Sequence, residues 1–335
     1  MDYRNLGASG LKVSTLCLGT MMFGDRTDAP EAGRIVASAR DAGVNFIDTA
    51  DVYAKGESER ITGKLIAPDR DRWVLATKVA NPMGDDPNRR GTGRKWILKA
   101  IDESLTRLAT DYVDLYYLHR DIESTPLEKT LEAMADVIRA GKARYFGVSN
   151  FRGWRISEVA HTCRHMGLAK PIASQPYYNA MNRQPENDVL PACAHHGIGV
   201  VPYSPLARGV LTGKYAPGAE PEASTRAGRK DKRIMETEFR AESLAIAQKI
   251  KAHAAKKGMA AGHFALNWVM NNAIVTSVIA GPRTLEQWSD YLAASGKGFD
   301  AEDEALVDSL VSPGHPSTPG YNDPAYPMRG RVPRR

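Results

Sequence analysis

Short apolar runs alternate along the chain with segments whose apolar positions recur every three to four residues. The runs predict strands at 16–20, 44–48, 73–78, 113–119, 143–148, 172–176, 198–203 and 274–280. Amphipathic stretches at 31–42, 57–66, 94–109, 127–140, 153–167, 186–196 and 241–257, with another near 284–294, predict the helices between and after them. Strict alternation of strand and helix implies a parallel sheet, because parallel neighbours need a crossover connection. With eight strands and no long break before residue 206, the pattern fits a single (β/α)8 barrel better than an open doubly wound sheet. Neither a G-x-G-x-x-G nor a G-x-x-x-x-G-K-[ST] motif is present to mark a dinucleotide-binding or P-loop sheet.

Three segments fall outside this repeat. Residues 1–14 place a Gly-Ala-Ser-Gly turn between Leu6 and Leu11, a hairpin suited to plug the amino end of a barrel. Residues 206–240 form a long connection after the seventh strand, rich in Gly, Pro and Arg, and such connections often act as lids or binding loops. Residues 312–335 carry six prolines and are expected to be an irregular tail beyond a barrel domain of residues 1–311. That tail either folds back over the mouth or is disordered.

Composition narrows the picture. Apolar residues make up 42% and charged residues 25% of the 335, as in ordinary globular domains. No apolar stretch is long enough to span a bilayer, and MDYRNLGASG lacks the basic and apolar regions of a signal peptide. A soluble cytoplasmic protein without a membrane partner is expected. Cys17, Cys163 and Cys193 are odd in number and show no C-x-x-C spacing, which argues against a disulfide framework or a thiolate metal site. His195 and His196 are adjacent rather than spaced along one helical face, so no metal is expected.

A net charge of +6 raises the question of an anionic partner. The cations collect in two places, Arg226, Arg229, Lys230, Lys232 and Arg233 in the long connection, and Arg329, Arg331, Arg334 and Arg335 at the end. Neither cluster includes the stacking aromatics or recognition helix of a nucleic-acid surface, so no nucleic acid is expected. Oligomeric state is open between a monomer and a homo-oligomer.

The chemistry concentrates at the carboxyl ends of the second, third and fourth strands. VNFID ends at Asp48 with Tyr53 just beyond, WVLATK ends at Lys78, and VDLYYLH ends at His119. In a barrel these ends share one rim, which is the reactive face. A Tyr is a poor proton donor at neutral pH unless a nearby ammonium stabilises its phenolate, which Lys78 can supply. A buried ammonium in turn needs a carboxylate, which Asp48 can supply, while His119 can donate a hydrogen bond to a substrate oxygen. Singly, each has an ordinary explanation as a cap, a packing aromatic, an exposed strand end or a satisfied polar group. Together they make a proton-relay site.

At these residues the chain resembles the aldo-keto reductase superfamily, through GVNFIDTADVY, ATK at Lys78, VDLYYLH and GKARYFGVSN at 141–150. The resemblance runs from Tyr3 to about Leu310. It implies the same barrel, with Tyr53 as general acid or base, Lys78 and Asp48 as its tuning partners and His119 as orienter of the carbonyl. It also implies an extended nicotinamide dinucleotide across the carboxyl mouth. Ser149, Asn150 and Gln175 then hold the carboxamide, and Tyr203 stacks on the ring. Ser204, Pro205, Leu206, Ala207, Arg208, Gly213 and Lys214 match the pyrophosphate stretch, and Gly19, Thr20 and Met21 join Asp48 in the cofactor set.

IAGPRTLEQ reads independently as a strand end opening a helix, where free N–H groups favour phosphate and Arg283 adds charge. Gly281, Gln287 and Asp290 complete that site, and the cluster beginning at Arg226 is a second source of positive charge. NADP(H) is therefore expected in preference to NAD(H). Tyr291 and Gly281 depart from the Asn and Lys that many relatives carry there.

The implied reaction is reversible hydride transfer to an aldehyde or ketone, or from the corresponding alcohol. Met22 and Phe23, with Tyr53 and His119, are expected to line the substrate pocket. The polar loop 79–93, containing Asn81, and Tyr321 and Tyr326 of the tail are further candidates. Two other readings are a channel β-subunit-like redox-sensing binding protein and a barrel hydrolase or lyase lacking nicotinamide.

Overall fold

The structure is a computed structural model that describes residues 1–327. The chain forms two compact units, one of residues 1–176, 188–203 and 273–293, the other of 177–187, 204–272 and 294 onward. The clustered arginines from Arg329 onward lie outside the described residues.

The first unit opens with an antiparallel hairpin of β1 (Tyr3–Asn5) and β2 (Lys12–Ser14). Its turn enters the amino end of the barrel, where Leu6 is fully buried and Ala8 N–H bonds the Gly197 carbonyl at 2.9 Å. Gly7 is required there. Its φ is +57°, and a Cβ would lie 2.7 Å from backbone atoms of Ile172, Gly197 and Gly199.

Eight parallel strands follow: β3 (Leu16–Gly19), β4 (Phe46–Asp48), β5 (Val74–Val79), β6 (Val113–Leu118), β7 (Ala143–Ser149), β8 (Ala173–Gln175), β9 (Gly199–Val200) and β10 (Val278–Ala280). They pair in sequence order, and β10 returns to pair with β3. A parallel bridge between Val200 and Val275, with Thr276 N–H to Val200 O at 2.8 Å and Ile279 N–H to Pro202 O at 3.0 Å, joins the remaining edges. The sheet is thus closed into a (β/α)8 barrel. Its interior is filled by side chains that include Cys17, Phe46, Ala76, Leu115, Tyr117 and Val201.

The helices of this unit are α1 (Ala29–Asp41), α2 (Glu57–Ile66), α3 (Arg94–Leu108), α4 (Leu127–Arg139), α5 (Gly153–His165) and α6 (Val189–His196). The first shows why the pattern is legible: Asp28 caps Glu31 N–H at 2.9 Å, and Ala32, Ile35, Val36 and Ala39 form the buried face. Strands eight and seven of the barrel are shorter than the sequence predicts. Pro202 has no N–H for the ladder, and 274–277 contributes only the Val275 bridge before β10 begins.

The second unit contains α7 (Lys232–Thr237), α8 (Ala241–Lys256), α9 (Ala261–Asn271) and α11 (Ala301–Leu310), while α10 (Leu285–Ala294) lies almost wholly in the first unit. Helices α7, α9 and α11 are absent from the sequence reading. Helix α9 is buried from Ala261 to Val269 and so has no polar face to reveal a period, α7 is only six residues long, and α11 buries just Asp303 and Val307.

Within this unit the described part of the tail is irregular but held. Arg183 bonds Asp308 at 2.7 Å and the Val311 carbonyl at 2.8 Å, Arg233 grips Asp323 at 2.6 and 3.0 Å, and Arg240 lies 3.7 Å from the Tyr321 ring centre. Tyr321 Oη donates to the Glu236 carbonyl at 3.1 Å.

Candidate active site

The parallel register sets Asp48, at the end of β4, beside β5, so that Lys78 projects from the neighbouring strand at the same rim. Lys78 Nζ donates to Asp48 Oδ1, to the Thr49 carbonyl at 2.7 Å and to Tyr53 Oη at 3.2 Å. Both members of the ion pair are buried, and Gln175 Nε2 donates to the other Asp48 oxygen at 2.9 Å. Tyr53 enters the group because the chain turns sharply after it: Ala54, Lys55 and Gly56 all have positive φ, at 46°, 55° and 92°. Such a turn is costly for non-glycine residues and persists where the surroundings enforce it.

Burial would lower the pKa of Lys78, but Asp48 and then Tyr53 outweigh it and raise it, so the ammonium is held charged. Burial pushes the Asp48 carboxyl up, against the opposing charge of Lys78. Burial also raises the Tyr53 hydroxyl above its ordinary value, and Lys78 offsets only part of that rise. The sequence reading expected Lys78 to bring Tyr53 down toward working range. In this structure the cation pulls in the expected direction, but desolvation of the phenolate is the larger effect.

His119 follows β6 directly and packs edge-on against Tyr53, with ring centres 6.0 Å apart. Burial, Lys78 and Arg120 push its pKa well below the usual imidazole value, so the ring is neutral. Asn81 Nδ2 lies 2.9 Å from His119 Nδ1.

On the far side of the rim, Asn150 follows β7 with φ +62°. Its amide donates to the His119 carbonyl and to Ser149 Oγ, both at 3.0 Å, and Tyr203 Oη donates to its Oδ1 at 2.8 Å. Ser149 Oγ donates to the Gln175 carbonyl at 2.9 Å. Ser149, Asn150, Gln175 and Tyr203 are therefore one hydrogen-bonded group, tied to the tetrad through His119 and Asp48. Gly19 pairs with Asp48 across the sheet, and a Cβ on Gly19 would meet Ile279 Cγ2 at 2.6 Å, which keeps that crossing open only for glycine. Thr20 is buried and donates to the Asp48 carbonyl at 3.1 Å.

A cavity of about 450 Å³ opens beside Tyr53, lined by Met21, Met22, Val52, Ala54 and Lys55 among others. Met21, assigned from sequence to the cofactor set, lines it. Phe23 does not line it and is fully buried.

The start of α10 differs from its sequence reading. Arg283 N–H is taken by Gln287 Oε1 at 2.9 Å, Leu285 N–H by Glu31 Oε1 at 2.6 Å, and Gln287 N–H by Thr284 Oγ1 at 3.3 Å. Free amides were expected there. A capping carboxylate from α1 satisfies the same orphan donors that a phosphate would.

Residues 204–214 belong to the second unit. Ser204, Ala207, Arg208 and Gly209 have positive φ, between 47° and 95°, around a short turn of 3-10 helix at Ala207–Thr212 that includes Val210 and Leu211. The Ala207 and Gly209 N–H groups bond the Ser204 and Leu206 carbonyls within the turn, at 3.0 and 2.8 Å. Arg208 Nε donates to Thr237 Oγ1 at 3.0 Å, the Gly213 carbonyl accepts from Gln248 at 3.1 Å, Lys214 lies 5.3 Å from the Tyr215 ring centre, and Arg226 pairs with Asp231 at 3.2 Å. Pro205 and Leu206 lead into this turn. Gly281 and Asp290 belong to the first unit, at and beyond the carboxyl end of β10.

Sequence reasoning named Asn81 only as a loop residue and passed over Thr49 and Asp51. Asp51 is buried, and burial, then Glu59, pushes its carboxyl up to about 8. Its place in TADVY was the one available signal. Among the described residues no group of three or more His, Cys, Asp or Glu is placed to hold a metal, and no helix is long and apolar enough to cross a membrane.

The chain is similar to known proteins along nearly its whole length. Residues 15–312 match the sequence model of the Aldo/keto reductase family. A probable voltage-gated potassium channel subunit beta of Arabidopsis thaliana is 40% identical, over 88% of this chain and 91% of its own. The uncharacterized oxidoreductase YrpG of Bacillus subtilis is 38% identical, over 96% and 99%. An L-glyceraldehyde 3-phosphate reductase of Escherichia coli K12 is 32% identical, over 94% and 93%. A match across nearly the whole chain and relatives aligned almost end to end establish that the protein is an oxidoreductase of the aldo/keto reductase family.

Proposed function

We propose that this protein is an NADP(H)-dependent carbonyl reductase, acting reversibly on an aldehyde or ketone and the corresponding alcohol, with Tyr53 as general acid and base. The observation that carries the reading is the single buried ammonium of Lys78, bonded at once to Asp48 and to Tyr53 Oη at 3.2 Å. No packing role requires a Lys and an Asp to share a buried pair beneath a tyrosine hydroxyl, since apolar residues would fill the space at no desolvation cost.

The residues on the rim fit a nicotinamide. Ser149, Asn150 and Gln175 present hydroxyl and amide groups suited to a carboxamide, and the half-buried Tyr203 ring offers a stacking face. Bound NADP(H) supplies or accepts the hydride at the carbonyl carbon. As negative charge develops on the carbonyl oxygen, Tyr53 Oη delivers a proton to it and His119 donates a hydrogen bond. Lys78 stabilises the phenolate left behind, and Asp48 keeps Lys78 charged. In the oxidising direction Tyr53 accepts the alcohol proton. The near wall of the substrate cavity, with Met21, Met22 and Val52, is apolar and adaptable, which suits an organic carbonyl.

Arg283 supports the choice of NADP(H), because a guanidinium can pair bidentately with a phosphate. The small-molecule substrate is the expected partner, in a cytoplasmic protein that is a monomer or homo-oligomer and binds neither nucleic acid nor membrane.

The test is Tyr53→Phe. Turnover of simple aldehydes and ketones with NADPH is expected to fall by about 10²–10⁴, with NADPH binding, read from tryptophan fluorescence quenching, nearly unchanged. Near-normal turnover would remove Tyr53 from the proton path. Titration of the parent with NADPH and NADH decides the cofactor. Equal affinities would refute the preference for NADP(H).

A further inference from the structure

Asn81 lies two residues beyond β5, across Ala80, in the loop that faces His119. Ala80 is buried and has φ +128°, a conformation that L side chains rarely adopt. Its neighbours hold it there: Gly91 N–H bonds the Ala80 carbonyl at 2.8 Å, and His119 N–H bonds the preceding Val79 carbonyl at 2.8 Å. Strain of this kind costs about 1–3 kcal/mol and persists where the surroundings over-determine it. Its geometric result is that the Asn81 amide reaches the imidazole of the next strand.

The amide nitrogen of an asparagine only donates, and in a neutral imidazole one nitrogen carries the proton while the other accepts. His119 is neutral, and Asn81 Nδ2 lies 2.9 Å from Nδ1. Nδ1 is therefore the acceptor, and the proton is on Nε2. No hydrogen bond to Nε2 exists among the described residues. The His119 main chain is fixed independently by Val79 O and by Asn150 Nδ2 at 3.0 Å, and the ring packs edge-on against Tyr53.

We infer that Asn81 is a positioning residue that sets the tautomer of His119, so that the ring presents its one N–H, on Nε2, to the reacting carbonyl oxygen. This inference rests on the hydride-transfer reading for its consequence, but not for the tautomer. The opposite tautomer would aim a lone pair at an oxygen that gains negative charge, opposing the reaction instead of assisting it.

The experiment uses the full chain labelled with ¹⁵N in histidine. Two-bond ¹H–¹⁵N spectra report which ring nitrogen carries the proton, and His119→Gln identifies the His119 signals among the eight histidines. The parent is expected to show Nε2–H. Asn81→Asp, nearly the same shape but acceptor-only when ionised, is expected to exchange His119 to Nδ1–H. Turnover should fall by about 10²-fold, as for loss of one well-placed donor, with NADPH affinity within about twofold on that same argument. Asn81→Leu removes the donor without adding a charge and should lose turnover with a mixed tautomer population. A merely space-filling Asn81 would leave the tautomer of both variants as in the parent. That result, or an Nδ1–H signal in the parent, overturns the assignment. The expected tautomer exchange together with a parent inactive on every carbonyl tried would instead sink the hydride-transfer reading while leaving the Asn81 assignment in place.

Discussion

Replacing Lys78 by Met separates the electrostatic role of this residue from its volume. The side chains are similar in length, so the variant keeps the space filled and loses only the ammonium. In the parent that ammonium is wholly buried and serves three acceptors: Asp48 Oδ1, the Thr49 carbonyl and Tyr53 Oη. Its removal leaves the buried Asp48 carboxylate with the Gln175 amide at 2.9 Å as its remaining side-chain partner. Breaking a buried pair by removing one partner costs about 3–5 kcal/mol, because the other charge stays desolvated. The double variant Asp48→Asn/Lys78→Met removes that stranded charge, so it is expected to be more stable than Lys78→Met alone by on the order of 1–3 kcal/mol. Urea denaturation followed by circular dichroism, on the parent, both single variants and the double, gives the coupling energy from the cycle. Turnover of Lys78→Met should fall by about 10²–10⁴, because the Tyr53 phenolate loses its stabilising cation. A Lys78→Met protein within about 1 kcal/mol of the parent, with no gain from adding Asp48→Asn, would refute the reasoning that the pair is a desolvated unit.

Three further outcomes follow from other parts of the structure. Asp51 holds its proton up to about 8 in the folded chain, whereas an ordinary aspartate releases it near 3.8, so this residue erodes stability as pH rises from about 4 through 8. Asp51→Asn removes that titration, so in urea unfolding the variant should gain on the parent by a few kcal/mol between about pH 5 and pH 8, at roughly 1.4 kcal/mol for each tenfold fall in proton concentration; parallel pH profiles would count against it. Gly63→Ala places a Cβ 2.1 Å from the Leu108 carbonyl oxygen, a backbone atom at the α2–α3 contact, and should cost about 1–3 kcal/mol in thermal or urea unfolding. Arg107→Ala strands the fully buried Glu59, which Arg107 Nε meets at 2.6 Å and which also accepts from Thr77; a loss of about 3–5 kcal/mol is expected, and an unchanged urea midpoint would refute a stabilising role for the pair.

The pairing of chemistry with strand ends was legible because barrel geometry makes position informative. Asp48, Lys78 and His119 each terminate an apolar run, and parallel neighbours in register must bring such residues to one rim. Helices with one buried face, such as α1 with Ala32, Ile35, Val36 and Ala39, were legible for the same reason that they fold: their periodicity is the burial pattern. Helix α9 was not, because a helix buried on nearly every side has no contrast to display.

What the amino-acid sequence determined by itself was the alternation of elements, the barrel that this alternation implies, and the placing of Asp48, Lys78 and His119 at strand ends with Tyr53 just beyond, since these depend on local periodicity and on residue order. Tertiary structure alone decided how each group is electrically set. It placed Glu31 of α1 on the Leu285 amide and Asn81 on the ring of His119, contacts spanning 254 and 38 residues. It also made burial outweigh Lys78 in raising the Tyr53 hydroxyl. Desolvation and hydrogen-bond partnership are sums over every neighbour in space, and a linear sequence names the groups without saying which of them will be left without water.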